Sequence, residues 1–394
     1  MIPSYYEFLN SVKILSGKLA LDNIPHELSS LGAKRPIILT NDILVEIGLV
    51  KTAVDALKGS DIVIGAVYGS IPIDSSVKVV NEAAGVYRDK NCDSIIAIGG
   101  GSVIDTAKGV SVVITENDDN LMKYAGAEIL KKRRAMPFIV IPTTAGTGSE
   151  VTMVAVIADP DRNVKMEFLS YNLLPDVAVL DPRMTRSLPA RASASTGMDA
   201  LSHAVEAYTG IQKNPLSDAY AFAAIKLTRE YLLRVVENGN DEEARLAMAN
   251  ASLMAGAAFS NSMVGIVHAI GHACGGVAHV AHGDAMTILL PHGMEYNLDA
   301  VPGYYSDLLL PLAGPEVYAA TPSGERAARS VSAVRELITL LNSRCGLPTR
   351  LRDVGVQEKD FERIAKTAIN DGAVVMNPRA IALEDVLTVL RKAY

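Results

Sequence analysis

Between residues 36 and 180, short apolar, β-branched runs alternate with stretches of helical periodicity, and from residue 181 onward that alternation stops. Runs at 36–40, 61–67, 94–98, 137–141 and 176–180 have the length and β-branched content of strands, while 44–57 and 76–88 carry a helical repeat. Strands that alternate with helices build a parallel sheet covered on both faces. The second half is rich in Ala, Leu and Met and shows long helical patterns, for example at 218–236 and 242–259. A chain of 394 residues also exceeds what one hydrophobic core usually supports. The expected fold is therefore an α/β domain with a parallel sheet over residues 1–181 and an all-α domain over 182–394. The break falls at Leu180-Asp181-Pro182, where proline interrupts regular structure.

Composition removes several classes of function. The net charge is −7, and the one basic stretch, Lys131-Lys132-Arg133-Arg134, reads as a solvated loop ahead of a strand, so neither a nucleic-acid nor an anionic-membrane partner is expected. No stretch reaches the roughly 18 uninterrupted apolar residues of a membrane span. The first 17 residues lack a basic region followed by an apolar one and do not read as a secretory signal. Cys92, Cys274 and Cys345 are scattered and odd in number, which fits a reducing cytoplasm better than a disulfide scaffold. Cys274, two residues after His272, either lines a site or is a small buried hydrophobe.

Two loops have the chemistry of phosphate cradles. The run 94–98 leads into Gly99-Gly100-Gly101-Ser102 and then a helical pattern. Glycines allow close backbone approach, the free N–H groups of a helix start face an anion, and Ser102 can cap the helix and donate to a phosphate. The run matches neither the GxGxxG fingerprint nor the P-loop pattern, and alone it fits a tight turn equally well. A second loop, PTTAGTGSE at 142–150, follows another strand and offers Thr143, Thr144 and Thr147 beside two glycines. Two such loops after strands of one sheet lie where open α/β sheets bind dinucleotides.

Six of the seven histidines fall between residues 203 and 292. His203 follows Asp199 by four residues, His268 and His272 are four apart, and His282 comes soon after. Residues four apart project from one helical face, so each pair can aim at a common centre. Imidazoles with one carboxylate suit a divalent ion such as iron or zinc. Spacing alone does not separate His268 from His272.

The segments GGGSVIDTAK, PTTAGTGSEVT, STGMDALSHAVEAY and GIVHAIGH…AHGDAMTILLPHGMEYN, with GLPTRLRDVGV and MNPRAIALEDV near the end, resemble the iron-dependent (group III) alcohol dehydrogenases. The resemblance runs over nearly the whole chain and implies an active site in the cleft between the two domains. It implies that Asp199, His203, His268 and His282 bind the metal, Fe2+ with Zn2+ as the alternative. His272 then becomes a non-ligand near the nicotinamide that helps proton transfer. Gly99, Gly100, Gly101, Ser102, Thr143, Thr144, Thr147 and Lys165 fall in the cofactor set. His279, His292 and His26 receive no role. Asn41 stands where many NAD-using relatives carry a ribose-binding aspartate, with Asp42 one place later, so NAD is expected with NADP as the alternative.

The implied reaction is metal-assisted hydride transfer between NAD(P) and a short primary alcohol or aldehyde. Val154, Phe259 and Val264, near the resembled pocket, are apolar and modest in size, which favours a short linear substrate. A diol or polyol dehydrogenase of the 1,3-propanediol or glycerol type is the second reading. A non-catalytic metal-binding protein on the same fold is the third. A cytoplasmic homodimer or larger homo-oligomer is expected.

Overall fold

The structure is a computed structural model that describes residues 3–159 and 164–394. The chain divides into two units: Leu9–Ser187, and Leu188–Tyr394 with the residues ahead of Leu9.

The first unit contains β1 (Lys13–Ser16), α1 (Ile24–Ser30), β2 (Pro36–Leu39), α2 (Asp42–Glu46), α3 (Leu49–Asp55), β3 (Ala66–Tyr68), α4 (Val77–Asp89), β4 (Ser94–Gly99) and α5 (Gly101–Glu116). There follow β5 (Gly126–Ala127), β6 (Phe138–Pro142), β7 (Val154–Asp159), β8 (Val164–Leu169) and β9 (Val177–Leu180). Six strands form a wholly parallel sheet in the order β1-β9-β6-β4-β2-β3. Strands β2, β4, β6 and β9 are buried at every residue, as a sheet covered on both faces requires. The pleat sorts their side chains. Ile37, Leu39, Ile95, Ala97, Phe138 and Val140 join the core that packs on α4 and α5, while Ile38, Ile96, Ile98, Ile139 and Ile141 join the core that packs on α1 and α3. A smaller sheet, β5-β8-β7, pairs β7 antiparallel with β8.

Three local expectations differ from what is found. The helical stretch 44–57 is two helices, because Gly48 adopts a left-handed conformation (φ 80°) between α2 and α3. The run 61–67 contributes only its last two residues to a strand, which continues to Tyr68. This strand is the sheet edge, pairing with β2 alone, and a Cβ at Gly65 would sit 2.6 Å from Cys92 Sγ. In the basic stretch Lys131, Lys132 and Arg133 are solvated, but Arg134 is largely buried, paired with Asp176 at 2.8 Å and donating to the carbonyls of Met136 and Leu174.

The second unit is helical: α6 (Ala190–Thr209), α7 (Pro215–Glu237), α8 (Glu242–Ser260), α9 (Ile266–Ala278), α10 (His282–Asn297), α11 (Pro302–Ala313), α12 (Pro315–Ala320), α13 (Arg326–Cys345), α14 (Phe361–Ala368) and α15 (Leu383–Ala393). Among the described residues it has no strand, and no helix is long and apolar enough to cross a membrane. Small residues let its helices approach closely. A Cβ at Gly197 of α6 would fall 2.4 Å from Leu232 of α7, and a Cβ at Gly283 of α10 would fall 2.5 Å from the Ser195 carbonyl of α6.

Candidate metal centre and cofactor loops

Asp199, His203, His268 and His282 come from three helices and meet. Asp199 and His203 are one turn apart on α6, His268 lies in the first turn of α9, and His282 is the first residue of α10. Asp199 Oδ1 is 3.2 Å from His282 Nε2, 3.8 Å from His268 Nε2 and 3.8 Å from His203 Nδ1. One donor atom from each of the four lies within 4.8 Å of the others.

A divalent ion fits this set. Asp199 Oδ1 and His268 Nε2 are buried and have no hydrogen-bond partner among the described residues. Buried polar atoms are rarely left so, and a cation accounts for both. The back of the cluster is dry, the side chains of His203 and His268 being 7% and 2% exposed, while that of His282 is 40% exposed. A closed back and an open front is the layout of a catalytic rather than a structural metal site.

Charge follows geometry. Burial works against ionisation of Asp199, yet His203, His282 and His268 around it hold its carboxyl well below the usual range. Burial alone would lower the His268 pKa, but the carboxylates of Asp199 and Glu206 outweigh it and push it up to about 9.

Two acids that the sequence did not single out support the histidines. Glu206 Oε2 lies 2.6 Å from His268 Nδ1, and Asp371 Oδ2 lies 2.8 Å from His272 Nδ1. A carboxylate only accepts, so each ring carries its hydrogen on Nδ1 and leaves Nε2 as the basic nitrogen. The His272 ring stacks on that of His282 with centroids 5.4 Å apart. Phe259 stacks on His203 at 4.2 Å. Val264 precedes Gly265, the residue ahead of α9, and Val154 opens β7 in the α/β unit.

The remaining histidines and Cys274 have structural positions. His279 ends α9 in a left-handed conformation. His292 is buried, and its pKa is pushed down to about 4, mainly by burial. His26 is near Ser30 on the exposed side of α1. Cys274 is fully buried, and burial pushes its thiol up to about 12, so it behaves as a small hydrophobe.

In the α/β unit the two loops converge. Thr143 N–H donates to the Gly99 carbonyl at 3.1 Å. A Cβ at Gly100 would stand 3.1 Å from Thr144 Oγ1, and one at Gly101 2.9 Å from Thr147 Cγ2. The residue ahead of α5 is Gly100, with no side chain to occupy the free N–H groups of the first turn. Ser102 corrects the expectation of a capping hydroxyl: it lies inside the helix and donates to the Ile73 carbonyl. Asn41 lies two residues past the end of β2, the neighbour of β4 in the sheet, and its Oδ1 caps α2 by accepting from Leu44 N–H at 3.0 Å. Strand order reverses between β2 and β4, the point at which such sheets bind ligands. Lys165, in β8, is placed by its backbone opposite Ala158 of β7, and its side chain lies outside the described part of the structure.

Beneath the threonine loop lies the buried ammonium of Lys108. It donates to Ser149 Oγ, Thr152 Oγ1 and the carbonyls of Thr152 and Val154 at 2.6–3.2 Å. Asp105 accepts from Ser149 Oγ at 2.9 Å and from Val156 N–H at 3.1 Å. Burial pushes Lys108 down to about 8 against the pull of Asp105 and Glu150, and pushes Glu150 up to about 7.

Residues 11–182 match the iron-containing alcohol dehydrogenase family, and residues 193–394 match the C-terminal part of the Fe-containing alcohol dehydrogenase family. The chain belongs to the iron-containing alcohol dehydrogenase family. It is 36% identical over 377 residues to the NAD-dependent methanol dehydrogenase of Bacillus methanolicus, covering 96% of this chain and 97% of that one. Among solved structures it is similar to 1,3-propanediol oxidoreductase (TM-score 0.94, 34% identity, 99% of this chain and 100% of the other). It is also similar to sulfoacetaldehyde reductase from Bifidobacterium kashiwanohense in complex with NAD+ (TM-score 0.87, 28% identity, 99% of both chains). The family member is an alcohol dehydrogenase, an oxidoreductase with a parallel-sheet N-terminal part and a helical C-terminal part.

Proposed function

We propose that the chain interconverts a short primary alcohol and its aldehyde with NAD and a ferrous ion. The observation that carries this reading is the convergence of Asp199, His203, His268 and His282, with Asp199 Oδ1 and His268 Nε2 buried and lacking hydrogen bonds among the described residues. Three imidazoles and a carboxylate without a thiolate suit iron, with zinc as the alternative. A divalent ion bound there supplies Lewis-acid polarisation of the alcohol or carbonyl oxygen, and NAD supplies the hydride acceptor.

The chain's own residues do the rest. Gly100, Gly101 and the α5 start offer N–H groups to a pyrophosphate, with Thr143, Thr144 and Thr147 across from them. Asn41 faces a ribose without the charge that would repel a 2′-phosphate, so NAD is preferred less strictly than with an aspartate there. His272 exchanges the hydroxyl proton at Nε2, and Asp371 holds the ring in that tautomer from Nδ1. The apolar side chains of Phe259, stacked on His203, and Val264, ahead of α9, suit a short, unbranched substrate. The three free cysteines, Cys92, Cys274 and Cys345, fit a reducing cytoplasm.

The similarity to 1,3-propanediol oxidoreductase supports a diol as the second substrate class. Iron-reconstituted protein, assayed anaerobically with NADH and NADPH over short aldehydes, and in the reverse direction over primary alcohols and diols at matched concentration, tests both. Chelator-sensitive, NADH-linked reduction of short aldehydes is expected. Iron uptake without turnover on any of these substrates would overturn the catalytic reading.

A further inference from the structure

Helix α9 begins without a cap of its own. Its preceding residue, Gly265, has no side chain, and a Cβ there would stand 2.7 Å from Asn377 Oδ1 and 3.1 Å from Glu206 Oε1. The N–H groups of the first turn are satisfied from elsewhere. Ile266 N–H donates to Asn377 Oδ1 at 3.2 Å, Val267 N–H to Glu206 Oε1 at 2.8 Å, and His268 N–H to Glu206 Oε2 at 3.3 Å. The same Oε2 accepts from the His268 ring at Nδ1, 2.6 Å away. Glu206 is buried on α6, on the helix that also carries Asp199 and His203. One carboxylate thus grips both the backbone and the ring of His268. Asn377 is itself locked by a reciprocal amide pair with Asn297, both bonds being 2.8 Å.

We propose that Glu206 is a positioning residue for the metal centre, fixing His268 with Nε2 toward the ion. The proposal rests on the reading of Asp199, His203, His268 and His282 as ligands. Capping by itself needs only an acceptor at Val267 N–H, yet the shorter contact goes to the imidazole. Carboxylate partners of ligating histidines fix tautomer and ring orientation and raise ligand basicity. Glutamine at this position would present an acceptor in one amide orientation and a donor in the other, so it no longer dictates the tautomer.

The test uses metal-stripped full-length protein and three measurements: Zn2+ affinity by chelator competition, thermal midpoint without metal, and ring shifts of 15N-histidine-labelled protein at a pH high enough that the His268 ring is neutral. Asp199→Ala separates the underlying reading from the proposal. Loss of the tight Zn2+ site in that variant places the ion at the cluster, whereas unchanged binding removes the cluster and Glu206's role with it. With the site so placed, Glu206→Gln is expected to weaken Zn2+ about ten- to a hundredfold and to turn a single Nδ1–H tautomer of His268 into a mixture. Asn377→Ala loosens the same helix start without touching the ring. It is expected to lower the midpoint while Zn2+ affinity stays within about twofold. Equal weakening in Glu206→Gln and Asn377→Ala, or wild-type affinity with an unchanged tautomer in Glu206→Gln, would reduce Glu206 to a helix cap and overturn the proposal. Glu206→Asp, whose shorter carboxylate cannot reach all three donors, gives the same readouts if the glutamine variant does not fold.

Discussion

Asp371 Oδ2 accepts the Nδ1 hydrogen of His272 across 2.8 Å, and burial notwithstanding, that contact holds the Asp371 carboxyl below its usual range. His272→Ala is expected to keep its metal and lose roughly 10²–10⁴ in turnover. Asp371→Asn is expected to keep metal and lose about tenfold, because the asparagine amide no longer dictates which nitrogen carries the hydrogen. Rate against pH, with metal content measured alongside, checks both. Metal lost from His272→Ala would make that residue a ligand.

His268→Ala is expected to abolish bound iron and turnover together, since it removes one of four ligands and leaves Glu206 and Asp199 facing an empty space. Elemental analysis of the purified variant is the check, and full metal content would take His268 out of the ligand set.

Metal affinity should rise with pH. The ion displaces a proton from His268, whose pKa in the metal-free fold is about 9, so affinity is expected to gain about tenfold per pH unit below that value. The same raised pKa favours the metal-free fold most below the ordinary value of 6.5, and this contribution fades as pH climbs toward about 9. Titrations at pH 6 and pH 8 with the same chelator measure the slope, and a flat profile would show that His268 carries no such proton.

Gly100→Val should raise the NAD dissociation constant by at least tenfold with little effect on folding. Its first added carbon would stand 3.1 Å from Thr144 Oγ1, in the space between the glycine run and the threonine loop. Calorimetric titration with NAD checks it. Wild-type affinity in a folded variant would move the phosphate site.

Asn41→Asp preserves the cap on Leu44 N–H, since aspartate caps as well as asparagine, and so should fold normally. It is expected to lower the NADP-to-NAD efficiency ratio by about tenfold through repulsion of the 2′-phosphate, worth roughly 1–3 kcal/mol. A ratio that does not fall places the ribose away from residue 41.

Much of this arrangement was legible in the chain itself. Continuous apolar runs marked β2, β4, β6 and β9, because strands covered on both faces need no polar alternation. The helical spacing of Asp199 and His203 put them on one face, while likeness to a family, not spacing, separated His268 from His272. The supporting acids left no local mark. Glu206 finds His268 62 positions away, Asp371 finds His272 99 away, and Asn377 reaches Ile266 across 111. Nothing near those residues in sequence distinguishes them from ordinary solvated polar groups. Ser102 failed for the opposite reason: a local rule favoured a cap, and a carbonyl 29 residues upstream took the hydroxyl instead.

The start of α9 has a hereditary consequence. At Gly265 the space a side chain would need is already held by Asn377 Oδ1 and Glu206 Oε1, so the three positions form one lock distributed over distant parts of the chain. A lineage that replaced Gly265 with a self-capping serine would crowd both acceptors, and one that first lost Glu206 or Asn377 would strand N–H groups that only a new residue at 265 could satisfy. Each single step passes through a weaker protein, and a cap regained at 265 restores the helix start without restoring the grip on the His268 ring. Substitutions at these three sites are therefore expected to be strongly epistatic, arising together or not at all.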